Sequence, residues 1–161
     1  MHKENLEEIK KEFDDLFIPV ICDIVKRYNK QTKNNTAKKL LKAALRQVIR
    51  KWTDKPVNKV SEKAYNLIVK QNINPYQLAW SDEKYRKSLK LKWEHMSTVE
   101  ELIQKLTTVT NYEECKNILL NYPGVCIITE DEDISLKQHG YNSKRPGGWE
   151  KCYEDCNIKL K

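Results

Sequence analysis

The run Leu89-Lys90-Leu91-Lys92-Trp93-Glu94-His95 alternates apolar and polar side chains, the period of two at which a strand sends successive residues to opposite faces. Leu89, Leu91, Trp93 and His95 fall on one side, Lys90, Lys92 and Glu94 on the other. Continuation of Asp82 to Lys92 as a helix is the alternative. Downstream, Asn121-Tyr122-Pro123-Gly124 has the composition of a turn and Val125-Cys126-Ile127-Ile128-Thr129 that of a short buried strand. The expected class is therefore α+β, mainly α: an N-terminal helical bundle followed by a small two- or three-stranded antiparallel element with short helices.

Upstream of that run the period is helical. Leu6, Ile9, Phe13, Leu16, Val20 and Ile24 predict an amphipathic helix over about 4 to 29, which Pro19 would kink or interrupt. A second helix is expected after Thr36 as N-cap, burying Leu41, Leu45, Val48 and Trp52. A third pattern places Val57, Val60, Ala64, Leu67 and Ile68 on one face before Asn74-Pro75 ends it, and three such helices can pack as a bundle.

Beyond the alternating run, Ser97 or Thr98 can cap a helix carrying Val99, Leu102, Ile103 and Leu106, and Asn111 can cap one reaching Leu120. Residues 130 to 138 suit a short helix that Gly140 ends, and a last short helix restarts after Pro146. All four glycines lie at or after residue 124, which marks the change of character. The expected organisation is a helical region over 1–80 and a small α+β region over 81–161, packed together as one domain.

The 161 residues carry 30 Lys and Arg against 23 Asp and Glu, a net charge of +7 that favours acidic partners, nucleic acid above all. No apolar run nears the roughly 20 residues that cross a bilayer, and His2-Lys3-Glu4-Asn5 lacks the order of a secretion signal, so a cytoplasmic protein without a membrane partner is expected. Five irregularly spaced cysteines argue against a disulfide framework. Abundant Lys, Asn and Ile suggest an AT-rich genome, such as a bacterium, its phage or a mobile element.

Two sets of side chains carry possible chemistry. Glu94-His95 sets a carboxylate beside an imidazole, and Glu130-Asp131-Glu132-Asp133 supplies further carboxylates. Together they can hold a divalent metal and activate water near neutral pH. In a strand, however, Glu94 and His95 point to opposite faces unless a bulge re-aims one of them. A structural reading also stays open, with His95 packing beside a buried Trp93 and the acidic run simply complementing a helix N-terminus.

The order of these parts resembles a His-Me finger, or HNH, nuclease over about residues 89–138. The resemblance implies His95 as general base, Asn121 as its orienter, and Glu94 with Glu132 or Asp133 as ligands of Mg²⁺ or Mn²⁺. Departures from that pattern are an acidic residue in place of the usual final His, two helices between the strands, and no zinc-binding CxxC pair. Cys152 and Cys156 lie one helical turn apart, but their spacing is not a standard zinc signature, so zinc is not expected.

The cationic set is Lys39, Lys42, Arg46 and Arg50 on one face of the second helix, together with Lys144-Arg145 near Trp149, cations beside a ring that can stack on a base. The expected function is that of a small basic nucleic-acid-acting protein, in the form of a metal-dependent phosphodiester nuclease of phage, mobile-element or bacterial defence context. The alternatives are a non-catalytic DNA- or RNA-binding module and a protein-interaction factor such as a phage-encoded inhibitor of a host protein.

Overall fold

A computed structural model describes residues 3–55, 57 and 59–161. The protein is mainly α with a small three-stranded sheet, in the order α1 (Lys3–Lys30), α2 (Asn35–Thr53), β1 (Lys59–Val60), α3 (Glu62–Val69), α4 (Glu83–Ser88), β2 (Leu91–His95), α5 (Val99–Leu106), α6 (Tyr112–Leu120), β3 (Val125–Thr129), α7 (Glu130–Gln138) and α8 (Trp149–Asp155). A 3₁₀ turn, Pro75–Gln77, precedes α4.

The chain forms two compact units. The described residues of His2–Lys55 and Val99–Tyr122 make one, and those of Pro56–Thr98 and Pro123–Lys161 the other. The units therefore do not part near residue 80, because α5 and α6 are inserted between two strands that pair with each other.

The helical unit packs α1 against α2, with α5 and α6 completing its core. Pro19 lies within α1 without ending the helix. Asn34, not Thr36, caps α2: its side chain accepts from the Ala37 amide at 2.9 Å, two residues earlier than the sequence suggests, so Thr36 lies inside the helix. Ile21, Leu45, Ile49, Ile103 and Leu106 are fully buried, each contributing about 1.5–3 kcal/mol of transfer free energy. Trp52 is also buried, and its indole N–H donates to Asp14 at 2.6 Å, which satisfies the one polar atom of that ring.

In the sheet unit the strand order is β1-β3-β2, with β3 parallel to β1 and antiparallel to β2. β1 takes residues that a helical spacing had claimed. Val60 pairs with Ile127, and the helix starts only at Glu62 under a Ser61 cap. Hence α3 packs on the sheet through Ala64 and Ile68 rather than joining a three-helix bundle. The C-terminal residues extend the edge, with Ser61 bridged to Leu160 and the Lys161 amide donating to the Val60 carbonyl at 2.9 Å.

All five residues of β3 are buried, as befits a central strand covered on both faces. One face carries Val125 and Ile127 with Leu91, Trp93 and the apolar side of α3. The other carries Cys126 and Ile128 against Leu136, Cys152 and Tyr153 of α7 and α8. No helix among the described residues is long and apolar enough to cross a membrane.

Candidate functional site

Register settles where the residues at the end of β2 point. Glu94 lies opposite Cys126 and His95 opposite Val125, so Glu94 shares the face of α7 and α8 while His95 shares the face of α3, Leu91 and Trp93. The regular ladder continues through His95, so no bulge re-aims either side chain.

On its face Glu94 meets Arg145, from the loop between α7 and α8. The guanidinium donates through Nη2 to Glu94 Oε1, through Nε to the Met96 carbonyl at 3.1 Å, and through Nη2 to the His95 carbonyl at 3.3 Å. Arg145 is 2% exposed at its side chain and Glu94 20%. Burial outweighs the attraction of Arg145 and, with the neighbouring Asp133 charge, pushes the Glu94 carboxyl up to about 7.

The acidic run at the start of α7 splits by role. Thr129 and Glu132 form a capping box, and Glu132 Oε2 accepts from the Thr129 amide at 2.8 Å and from Ser61 Oγ at 2.6 Å. Asp133 accepts from Lys137 at 2.6 Å, and Glu130 pairs with Lys92 at 3.0 Å. Asn121, in the helical unit, caps the C-terminus of α6 and donates through Nδ2 to the Asn117 carbonyl at 2.8 Å.

The structure therefore brings Glu94 and Asp133 to one neighbourhood and places His95 on the opposite face of the sheet. As arranged, these donors do not fit Mg²⁺ or Mn²⁺. Glu94 and Asp133 each already face a cation, and Glu132 is turned into the core. Among the described residues no three His, Cys, Asp or Glu side chains form a metal-holding group. Cys156 Sγ lies 3.6 Å from His139 Nδ1, whereas the Cys152 thiol approaches the Pro146 carbonyl at 3.7 Å.

The cationic residues of α2 stand otherwise. Lys39 and Arg50 are exposed. Lys42 and Arg46 each reach a different oxygen of Glu100 at 2.6 Å. One carboxylate serving two cations leaves that pair with a net positive charge, and no acidic residue occupies the first turn of α2.

Of the other basic set, Lys144 is exposed, Arg145 is buried, and Trp149 packs edge-on to Tyr153 at 5.6 Å with the Lys59 ammonium 5.0 Å from its ring. The loop therefore does not present Arg145 to solvent.

Sequence reasoning missed a second cationic region. Lys26, Lys30 and Lys33 are exposed around the turn from α1 to α2, and Lys38 lies 5.4 Å from the Tyr28 ring. Its signal was available as six cations between residues 26 and 39 with no acid among them. Comparison with protein-family models, curated proteins and solved structures finds no match to this chain.

Proposed function

We propose that the protein binds nucleic acid without cleaving it, laying the phosphate backbone along α2. The observation that carries this reading is the unneutralised cationic face of that helix. Lys39 and Arg50 are exposed and make no ion pair with another described residue, while Lys42 and Arg46 between them share one carboxylate. Eleven positions at 1.5 Å each set Lys39 and Arg50 about 16 Å apart along the axis, a span of about five nucleotide steps on one strand of a duplex.

Such a contact is electrostatic and releases counterions. With four phosphates engaged, log K against log salt has a slope of about −3 to −4 on duplex DNA. The test is a salt titration of binding to a random-sequence duplex, comparing wild type with the Lys39→Ala/Arg50→Ala double variant. A slope shallower by about two supports the reading; a flat salt response in wild type, or an unchanged slope in the variant, overturns it.

A second reading, phosphodiester hydrolysis, is favoured by the strand–strand–helix order of β2, β3 and α7 with Glu94 and Asp133 on one face. It requires Arg145 and Lys137 to release those carboxylates. A cleavage assay with Mg²⁺ or Mn²⁺ separates the two readings. Cleavage lost in Glu94→Gln and in Asp133→Asn supports hydrolysis, and absence of cleavage by a protein that binds supports the first.

A further inference from the structure

Between the 3₁₀ turn and β2 the sheet unit carries a ring and a set of charges that α2 does not account for. Trp80 is 43% exposed, a large apolar surface left in water. The turn that bears it is fixed: the Ala79 amide donates to Asp82 Oδ2 at 2.7 Å, and the Asp82 amide donates to the Ala79 carbonyl at 3.0 Å.

Two neighbours hold the indole in place and still leave it partly exposed. The Arg86 guanidinium lies 4.0 Å from its ring centroid, and the Trp93 ring meets it nearly perpendicular, 85° with centroids 5.9 Å apart. Both contacts orient an aromatic plane. Trp93 is itself fixed by its pairing with Ile127 in the sheet.

Cations are dense in the stretch of chain that follows this fixed ring. Residues 83 to 92 contain Lys84, Arg86, Lys87, Lys90 and Lys92 against Glu83 alone. Glu83 pairs with Lys87 at 2.6 Å, and Lys92 with Glu130 at 3.0 Å. Lys84, Lys87 and Lys90 are exposed. Lys90 is held at φ +51, a left-handed turn that sets its side chain just ahead of β2.

A braced, partly exposed indole followed within ten residues by three exposed ammonium groups suits a ligand with a flat aromatic face and flanking negative charge. A base inside a duplex has both faces stacked already, whereas an unpaired base offers its plane at no unpairing cost. We propose that Trp80, braced by Arg86, is the stacking platform for an unpaired base of a single-stranded nucleic acid whose neighbouring phosphates lie against Lys84, Lys87 and Lys90. The inference rests on the nucleic-acid reading for its class of partner, but it uses residues of the other unit and selects single strands.

Base stacking on an aromatic side chain is worth about 1–3 kcal/mol by alanine substitution, roughly 5- to 150-fold in affinity. The experiment measures binding of a 20-nucleotide oligo-dT and of a random-sequence duplex of equal length to wild type, Trp80→Ala, Trp80→Phe and Lys39→Ala/Arg50→Ala. Expected are a tenfold or greater loss for oligo-dT in Trp80→Ala, substantial retention in Trp80→Phe, and little change on the duplex for either. Oligo-dT should also quench indole fluorescence in wild type and lose most of that quench in Trp80→Phe, a readout that survives if the alanine variant folds poorly.

Equal oligo-dT affinity in wild type and Trp80→Ala, or an unaltered quench in Trp80→Phe, overturns this proposal alone if duplex binding still depends on Lys39 and Arg50. Failure of wild type to bind either probe overturns both.

Discussion

Arg145 is anchored to Glu94 across 51 positions of sequence, and the same guanidinium takes the main-chain carbonyls of His95 and Met96. It ties the loop between α7 and α8 to the end of β2, assisted by the Thr98 hydroxyl, which donates to the Ser143 carbonyl at 3.4 Å. Replacing Arg145 by Met keeps much of the side-chain volume but strands a shielded carboxylate and two carbonyls. Breaking one side of a buried pair costs roughly 3–5 kcal/mol. Urea denaturation at pH 8 is expected to show a loss of that order for Arg145→Met; a loss below about 1 kcal/mol would mean that the pair is not holding the loop.

The pH dependence of stability follows from the same carboxyl. Glu94 is pushed up to about 7 from its ordinary 4.5, so between those values the folded state holds a proton that the unfolded chain has lost. Stability therefore falls as pH rises through this window and levels off above it. Glu83, Glu100, Glu130 and Asp155 are shifted the other way by their hydrogen-bonded cationic or phenolic partners, and their effect appears only on acidification below the ordinary carboxylate range. The difference between wild type and Glu94→Gln across pH 4.5 to 7.5 isolates the one group. A descending limb in wild type that is absent from Glu94→Gln is the expected result, and parallel curves would refute it. In Arg145→Met the stranded carboxyl can take up a proton, so the loss measured at pH 5 should be smaller than at pH 8.

Glu132 joins three segments through one carboxylate, accepting from Ser61 at the head of α3 and from Thr129 at the junction of β3 and α7. At 3% exposure no water replaces it. Glu132→Ala is expected to cost about 2–4 kcal/mol, more than the roughly 1 kcal/mol of a simple cap, because buried donors lose their acceptor. Ser61→Ala alone should cost less, since Thr129 still engages the carboxylate. The double variant should fall short of the sum by 0.5 kcal/mol or more; strict additivity in denaturation midpoints would show that Ser61 and Glu132 do not act together.

The contrast between Glu132 and Glu94 marks where the sequence can be read and where it cannot. The strand over 125–129 and the helix after it follow from local spacing and were legible, as was the alternation that splits Glu94 from His95, whereas the capping box of Thr129 and Glu132 emerges only in the structure. Val60 was misassigned because helical and strand patterns coincide over two residues, and only pairing with Ile127 decides between them. The inward turn of Arg145 was equally hidden, because its partner is 51 residues away and a Lys-Arg dipeptide before proline looks like an exposed basic loop. Trp80 escaped attention because Arg86 is six positions on and meets it only through the fold.

Cysteine reactivity gives an independent probe of the sheet unit. Cys126 is fully buried at the centre of β3, and burial, reinforced by the Glu132 charge, pushes its thiol up to about 12. The thiolate is the reactive form, so at pH 8 native Cys126 should alkylate at least about a thousandfold more slowly than the same thiol in an unfolded chain, given a pKa difference of about three units. Its labelling then reports opening of the sheet rather than intrinsic chemistry. Mass spectrometry after iodoacetamide treatment should find Cys126 protected in wild type and markedly faster to react in Arg145→Met, where β2 has lost its anchor. Rapid native labelling of Cys126 would show that the strand is open to solvent, and with it that the Glu94 carboxyl beside it is not shielded enough to be shifted.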